Sequence, residues 1–518
     1  MTKKYDNKSL EEKVGQLLMF AFQGDSYNEQ LDMQIRKLKV GGIIYFSRNI
    51  KNKEQVQRLN EKIKQNAKIP PFIAIDQEGG IDQEGGIVQR IVEGMPPFPG
   101  AMAISASQMD NYDVCYEVGK ELRSIGFNVN FAPVADCNNN PLNPVINSRS
   151  YSDDPKVCGW YASRAAQGFQ DALILPTSKH FPGHGDTKVD SHLSLPKVDK
   201  SIEELEKMEF IPFQETINNG IEGIMASHIL YPALDDKFPA TLSKKIITGI
   251  LKEKMGFKGL IVTDSLTMGA IYNTYSHREI VRYACNAGID LLVFCGKADI
   301  NEQIDIYNSF IEEVKIGNIP MERIDESYEK IIRLKEKYIN SKQTEVEYKK
   351  GLGKLISEKS ITLVKNENVL PLDKKNRILV ISPKIKVFTL VDNDNVNYLS
   401  LGEVFNAHEL ICDELIYEEN DDIIKKVIDI QKNYDKIILG TYNVRQNGFE
   451  SKLFKNLQKE KTIVVSLRSP YDILYLDDVK CYICIYETSK LSFESLTKCL
   501  INNKFEGKLP VQLYKEEF

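Results

Sequence analysis

The sequence predicts an α/β protein in which a (β/α) barrel is followed by a smaller α/β sandwich domain. Two observations lead to this fold class. Short apolar runs alternate with segments of helical periodicity through the first part of the chain, and the same alternation resumes after a charged stretch at 341–350. The runs are apolar throughout, which is typical of parallel strands that are covered by helices.

The first predicted element is a helix. Ser9 and Glu12 have the spacing of a capping box, and Leu10, Val14, Leu17 and Leu18 then recur at helical spacing. The apolar runs that follow predict strands at 42–46, 72–75, 129–132, 172–175, 223–226, 260–263 and 291–294. About seven such units in roughly 330 residues fit a closed, TIM-like (β/α) barrel better than an open sheet.

Polar residues follow every one of these predicted strands. They are the segments 47–49, 76–78, 133–136, 179–180, 227–228, 264–265 and 295–297. In a parallel barrel the carboxyl ends of the strands gather at one rim, where the active site lies. The sequence therefore predicts a site at this rim.

The second domain is smaller. Strands are predicted at 377–381, 436–439, 462–467 and 480–486, with a helix over 421–432. We divide the chain into a catalytic barrel (1–340), a linker that leads into the next domain (341–375) and a C-terminal α/β sandwich domain (376–518). The last part has one histidine and no cluster of reactive side chains.

Composition narrows the classes of partner and compartment. The formal net charge is −6 without a basic stripe, so no nucleic-acid partner is expected. No apolar run reaches the roughly 18 residues of a membrane span. No apolar segment follows Lys3 and Lys4, so we expect a cytoplasmic protein, or a secreted one if a signal peptide preceded this sequence. The sequence makes no prediction of oligomeric state.

The cysteines favour reduced thiols over a disulfide framework, because the nine are scattered and odd in number. Cys481 and Cys484 form a CxxC pattern inside an apolar run, which is more typical of a buried strand than of a redox site.

The segment 179–196 concentrates titratable groups. It contains two Asp/His pairs at a spacing of two residues, His184 with Asp186 and Asp190 with His192. A carboxylate beside an imidazole fixes its tautomer and raises its basicity, so such a histidine can transfer protons near neutral pH. A polar turn held by Asx hydrogen bonds is the alternative interpretation.

Zinc is a third interpretation of this segment, since it holds three histidines. Pro182, Gly183 and Gly185 exclude the helix that would place His180 and His184 on one face. We therefore predict no metal and no cofactor.

A six-residue duplication interrupts the region after the second predicted strand: IDQEGG occupies 75–80 and again 81–86. If the first copy is in place, the strand 72–75 runs unbroken into Asp76. The second copy in that place would splice six residues into the strand, which costs more than a longer loop. We therefore predict that Asp76 is the pocket residue and Asp82 its displaced copy.

Four segments together resemble glycoside hydrolase family three, and within it the bacterial β-N-acetylglucosaminidases that process muropeptides and carry a second domain. They are KHFPGHGDTKVDSH (179–192), VTDSLTMGA (262–270), IDQEGG and NSRSYSDDP (147–155). The resemblance covers the first domain nearly end to end, and VKNENVLPL (364–372) is similar to the start of the family's second domain.

The resemblance implies a nucleophile and a proton donor. Asp264 matches the nucleophile, although Asp76, Asp186 and Asp190 are rivals on charge alone. Most glycosidases use two carboxyl groups. In this subfamily a histidine replaces the acid, and His192 with Asp190 matches that dyad.

The same matches imply the substrate-binding residues. Lys179, His180, Arg149 and Asp76 (or Asp82) are expected to hold the saccharide. His228 follows a strand, where a structural role is equally compatible. Asp290 precedes a strand instead of following one.

The implied function is a retaining exo-β-N-acetylglucosaminidase that removes terminal N-acetylglucosamine from cell-wall muropeptides through a glycosyl-enzyme. A phosphorylase or transglycosylase is the alternative within enzymes, because a histidine acid/base places no fixed negative charge in the path of an acceptor. A catalytically silent carbohydrate-binding sensor, whose site the duplication has spoiled, is the alternative from another class.

Overall fold

The computed structural model describes residues 8–80, 89–91, 93–187, 195–296, 299–342, 346–373, 375–384 and 400–513. Three of the predicted site residues, Asp82, Asp190 and His192, lie outside these ranges.

The first domain is a closed parallel barrel. Its strands are β1 (Leu18–Ala21), β2 (Gly42–Ile44), β3 (Phe72–Ile75), β4 (Val129–Asn130), β5 (Leu175–Pro176), β6 (Ser178–Phe181), β7 (Gly223–Ala226), β8 (Leu260–Thr263) and β9 (Leu292–Phe294). One sheet has the order β5-β4-β3-β2-β1-β9 and the other β6-β7-β8, with every pairing parallel. Parallel bridges from Val134 to Lys179 and from Val262 to Leu291 join the two sheets. Only Thr177 separates β5 from β6, so these two segments form one interrupted strand. Counted this way, the barrel has eight strands within the described ranges.

Helices cover the outside of the barrel. They are α1 (Leu10–Gln16), α2 (Glu29–Asp32), α3 (Lys53–Asn66), α4 (Ala101–Ser107), α5 (Tyr112–Ser124), α6 (Pro155–Asp171), α7 (Ile202–Lys207), α8 (Phe210–Asn218), α9 (Gly269–Tyr272), α10 (His277–Ala287), α11 (Ile300–Lys315) and α12 (Met321–Lys335). Wider helical turns of π geometry occur at Met33–Lys37, Lys245–Lys254 and Glu336–Asn340, and short 3-10 turns at Ser47–Asn49, Asn147–Arg149 and Ala240–Leu242.

The predicted helix at the start of the chain is wrong at its end. It begins as expected after Ser9, which caps it, but Leu18 already belongs to β1. β1 is buried between β2 and β9 and closes the barrel. A four-residue apolar run cannot be assigned to a helix or a buried strand from periodicity alone.

The strand predicted at 172–175 lies three residues further on. Ala172 ends α6 and Leu173 takes a positive φ of 57°, so the strand begins only at Leu175. Lys179 and His180 therefore lie within β6 instead of following it.

The second domain is built on a mixed six-stranded sheet of order β10-β15-β14-β13-β11-β12. Its strands are β10 (Thr362–Asn366), β11 (Ile378–Pro383), β12 (Cys412–Tyr417), β13 (Lys436–Thr441), β14 (Thr462–Ser466) and β15 (Cys481–Cys484); its helices are α13 (Leu352–Ser360), α14 (Leu401–Ala407), α15 (Asp421–Ile430), α16 (Phe449–Lys455) and α17 (Lys490–Asn502). Short 3-10 turns lie at Gln431–Asn433, Lys459–Lys461 and Pro470–Tyr475. β10 is antiparallel to β15, and the other pairings are parallel.

Apolar side chains cover both faces of this sheet. Val380, Ile438 and Val465 point to one core, whereas Leu379, Leu439 and Val464 point to the other. Helices flank both cores, so the predicted α/β sandwich is confirmed. The edge strands β10 and β12 were not predicted, because their partly exposed sequences lack a continuous apolar run.

The two domains are packed together. Met102, Ala103 and Ala106 of α4 belong to the same apolar core as one face of the second sheet. Polar contacts flank this core: Asn138 Nδ2 donates to the Tyr471 hydroxyl at 3.2 Å, and Ser152 Oγ donates to the Pro510 carbonyl at 2.6 Å. The second domain therefore adjoins the loops that follow β4.

Across the described ranges we find no helix that combines the length and the apolar character of a membrane span. All nine cysteines are free thiols, and the strand β15 buries both Cys481 and Cys484, as predicted for the CxxC pattern.

Candidate active site

A buried network of four charges lies where β3 ends and β6 runs. Lys179 Nζ is 2.9 Å from Asp76 Oδ1 and 2.6 Å from Glu78 Oε1. Arg149 approaches Glu78 with two parallel hydrogen bonds, from Nε at 3.0 Å and from Nη2 at 2.9 Å. Such a fork fixes direction as well as distance, so each side chain has one orientation.

The electrostatics keep Glu78 and Lys179 ionised. Burial disfavours the carboxylate of Glu78, but the charges of Arg149 and Lys179 outweigh that cost and lower its pKa to about 2. Burial likewise opposes the ammonium of Lys179, yet Asp76 and Glu78 raise its pKa overall. The result is a set of fixed donors and acceptors suited to sugar hydroxyls.

Arg90 is a further cation beside Asp76. Arg90 Nη2 lies 3.2 Å from Asp76 Oδ2, and the guanidinium groups of Arg90 and Arg48 each lie 4.6 Å from the ring centroid of Phe46. Sequence reasoning missed Arg90, since it follows the duplicated segment and no strand ends beside it. The sequence placed Glu78 in the polar segment 76–78 but predicted no role for it.

Asp136 binds the segment that contains His180 and His184. Its Oδ2 is 2.7 Å from His180 Nδ1, and its carboxylate also accepts the main-chain N–H groups of His180 and His184. Burial acts to raise the pKa of Asp136, but the His180 imidazole outweighs it and the net shift is downward. Asp136 therefore fixes the ring of His180 at the rim.

His184 has a different environment. Its Nδ1 lies 2.8 Å from Thr187 Oγ1, and Asn143 Nδ2 donates to its carbonyl at 2.8 Å. Burial, followed by the proximity of His180, lowers its pKa to about 4, so it is neutral at pH 7. Asp186 interacts with Lys200 at 3.4 Å. These contacts agree with a loop-shaping role for His184.

The residues on both sides of 188–194 are firmly held. Gly185 lies so close to Cys137 that an added Cβ would be 1.6 Å from the carbonyl oxygen of Cys137. On the other side, Val198 and Leu230 are joined by a main-chain hydrogen bond of 3.0 Å, and Lys200 is 2.5 Å from Glu209.

Asp264 directly follows β8 and is partly exposed. Its Oδ1 accepts the N–H of Ser265 at 2.7 Å, and its own N–H donates to the Ala226 carbonyl at 3.0 Å. Burial raises the pKa of the neighbouring Cys295 to about 12, and the charges of Asp264 and Asp76 both add to that shift. Asp264 and Asp76 each directly follow a strand of the parallel barrel, so both carboxylates lie at the same rim.

His228 supports the turn after Asp264. Its Nε2 is 2.9 Å from the carbonyl oxygen of Ser265, and because a carbonyl only accepts, Nε2 carries the proton. Its Nδ1 lies 3.0 Å from Thr241 Oγ1. With both ring nitrogens engaged by the protein and 1% of its surface exposed, His228 has the contacts of a structural histidine.

Asp290 lies apart from these residues, at the amino end of β9. It accepts hydrogen bonds from Arg323 at 2.7 Å, Lys330 at 2.8 Å and the main chain of Ile261 at 3.0 Å. Burial opposes its ionisation, but Lys330 and Arg323 lower its pKa to about 2. Asp290 therefore does not lie at the rim and is not part of the proposed site.

Asp290→Asn tests whether Asp290 takes part in substrate binding. The change leaves Arg323 and Lys330 facing a neutral partner, and the loss of a buried pair costs about 3–5 kcal/mol of unfolding free energy. Denaturant unfolding should show this loss, while kcat/KM per folded molecule stays unchanged. A raised KM with unaltered stability would show instead that Asp290 binds substrate.

The structure thus gathers five predicted residues at one rim and separates others. Asp76, Lys179, His180 and Arg149 lie together, and Asp264 follows β8 at the same rim. His228 contacts the residue after Asp264. Within the described ranges no group of three or more His, Cys, Asp or Glu side chains has the arrangement of a metal site.

Comparison with known proteins assigns the family. The family model of the glycosyl hydrolase family 3 N-terminal domain matches residues 9–334. The chain belongs to glycosyl hydrolase family 3. This family 3 member is therefore a glycoside hydrolase, as the sequence motifs predicted.

Two of its relatives extend the match over both domains. A β-hexosaminidase A of Pseudoalteromonas piscicida is 32% identical over 497 residues, covering 86% of this chain and 82% of that protein. A family 3 β-N-acetylglucosaminidase from Paenibacillus sp. str. FPU-7 superimposes with a TM-score of 0.90 at 34% identity, over 98% of this chain and 100% of that one. A β-hexosaminidase of Tolumonas auensis is 35% identical over 283 residues, 54% of this chain and 82% of its own length.

Proposed function

We propose that this glycoside hydrolase is a retaining exo-β-N-acetylglucosaminidase. The observation that carries the proposal is the placement of Asp264 at the barrel rim that also carries the network of Asp76, Glu78, Lys179 and Arg149. One carboxylate is thus available to a reacting carbon next to a set of groups that bind hydroxyls. The β-N-acetylglucosaminidase from Paenibacillus, similar over both domains, supports the same sugar.

The proposed mechanism is a double displacement. Asp264 attacks the anomeric carbon while His192, oriented by Asp190, protonates the leaving oxygen. The C–O bond to the aglycone breaks as the bond to Asp264 forms. His192 then takes a proton from water, whose oxygen attacks the anomeric carbon and frees Asp264, with net retention of the β configuration.

Four residues of the rim are proposed to bind the saccharide. Lys179, His180, Asp76 and Arg149 hold the saccharide. Hydrogen bonds of Lys179 with Asp76, of His180 with Asp136 and of Arg149 with Glu78 fix them before substrate arrives. Such preorganisation lowers the entropy that binding must overcome. β3 runs into Asp76 without interruption, which favours Asp76 over Asp82 for this role.

The natural substrate we propose is a muropeptide, in which N-acetylglucosamine is β-linked to N-acetylmuramic acid, and the setting is cytoplasmic recycling of the cell wall. The motifs shared with muropeptide-processing members of the family support this substrate.

A proton-NMR time course on an aryl β-N-acetylglucosaminide tests the proposal. We expect the β anomer of N-acetylglucosamine to appear first and to mutarotate later. An α anomer as the first product would contradict the double displacement. Sugar 1-phosphate formed only in the presence of phosphate would identify a phosphorylase, and no turnover at all would favour the silent sensor.

A further inference from the structure

A carboxyl group of the second domain reaches the barrel. Glu487 follows β15 and is 4% exposed. Its Oε2 accepts the main-chain N–H of Gly100 at 2.8 Å, and its Oε1 accepts the hydroxyl of Ser489 at 2.7 Å. One side chain of the second domain thereby satisfies a buried donor at the start of the barrel helix α4.

The same carboxyl packs against the turn that carries Glu78. Gly79 and Gly80 follow Glu78 with positive φ angles of 103° and 75°. A Cβ at Gly80 would lie 2.6 Å from Glu487 Oε2 and 2.8 Å from the Cα of Gly100. Gly80 also donates its N–H to the Phe98 carbonyl at 2.7 Å. The turn is therefore closed on one side by Glu487.

A small cavity connects Glu487 to the site. The titratable and charged groups that line it with Glu487 are Glu78, Arg149, Tyr151 and Tyr486. The remaining lining is formed by small residues and backbone of the same loops, including Ser148 and Val134. Glu487 thus shares this cavity with the Glu78–Arg149 pair.

We infer that Glu487 is a positioning residue of the glycosidase: through Gly100 and Gly80 it fixes the turn that aims Glu78 at Arg149 and Lys179, and so sets the affinity for the saccharide. This inference rests on the proposed function. It gives the second domain a defined part in substrate binding without contact to the sugar.

The protonation state of Glu487 adds a pH dependence. Burial raises its pKa from 4.5 to about 7. The folded protein then holds a proton that the unfolded chain loses between pH 4.5 and about 7, so the contribution of Glu487 to stability falls as pH rises through that window and is constant above it. The hydrogen bonds from Gly100 and Ser489 favour the ionised carboxyl, but burial outweighs them. Ionisation therefore draws water towards Glu487 and should loosen its packing against Gly80.

Three variants test the inference. Glu487→Ala leaves Gly100 and Ser489 with unsatisfied donors, and we expect roughly ten-fold weaker binding of N-acetylglucosamine with kcat nearly unchanged. Glu487→Gln can accept from Gly100 and donate to Ser489, so it should keep the affinity. It should also lose the wild-type decline in affinity between about pH 6 and about pH 8. Inhibition constants measured across this range report both effects.

Asp472→Asn is the matched control. Asp472 is a buried acid of the same domain whose pKa burial also raises to about 7, but it accepts from Thr441 Oγ1 at 2.7 Å and the N–H of Val444 at 3.0 Å, both within its own domain. Its substitution should alter the pH dependence of unfolding and leave sugar affinity unchanged.

Each outcome decides the inference. If Glu487→Ala does not fold, the pH profile of Glu487→Gln decides alone. Wild-type affinity in Glu487→Ala, wild-type pH dependence in Glu487→Gln, or an equal affinity loss in Asp472→Asn would overturn it. A wild-type enzyme that neither turns over a β-N-acetylglucosaminide nor binds the sugar would instead refute the proposed function.

Discussion

Asp264→Asn should lower kcat for an aryl β-N-acetylglucosaminide on the order of 10⁴-fold, because the amide cannot form the glycosyl-enzyme. The fold should survive, since the asparagine Oδ1 can still accept the N–H of Ser265. KM should change little, because the groups that bind the sugar are untouched. Steady-state kinetics with an activated leaving group measure the effect.

Two companion variants make this result specific. Asp199→Asn, on an exposed side chain, removes the same charge and should behave as wild type. His192→Ala should accumulate a glycosyl-enzyme from the activated substrate, and azide should discharge it. If Asp264→Asn kept most of the wild-type kcat, the nucleophile would have to be another carboxylate, with Asp76 the first to test.

Arg149→Met should have the largest effect on substrate binding. The change removes both hydrogen bonds to Glu78, which remains buried with Lys179 as its cation. Breaking such a buried pair costs about 3–5 kcal/mol. We expect the unfolding free energy to fall by that amount. KM for the N-acetylglucosaminide should rise on the order of 100-fold, because Glu78 loses the guanidinium that orients it towards Lys179.

Arg164→Met is the control for this change. Arg164 pairs with Asp110 at 2.8 Å, but both side chains are partly exposed, and such pairs contribute about 0–1 kcal/mol. Stability and KM should therefore remain close to wild type. An Arg149→Met enzyme with unchanged KM would show that the Glu78–Arg149 pair serves the fold alone.

Much of the fold was predictable because parallel strands that are buried on both faces are apolar throughout. This holds for β3, β7 and β8, whose bounds match the predicted ones. It fails for β1, where four apolar residues follow a helix without a break, and for β12, whose outward residues are polar. In both cases the neighbouring strand decides the conformation, and a local pattern does not contain that neighbour.

The sequence by itself determined that Asp76 and Asp264 belong to one rim, because residues that follow parallel strands share an edge whatever else the chain does. The tertiary structure placed Lys179 and His180 within β6, with Lys179 against Asp76. Only the tertiary structure decided their partners. Arg149 and Glu78 are 71 residues apart, and Gly100 and Glu487 are 387 apart. Barrel closure and domain packing create these contacts, and no local spacing specifies which distant charge will be buried beside which.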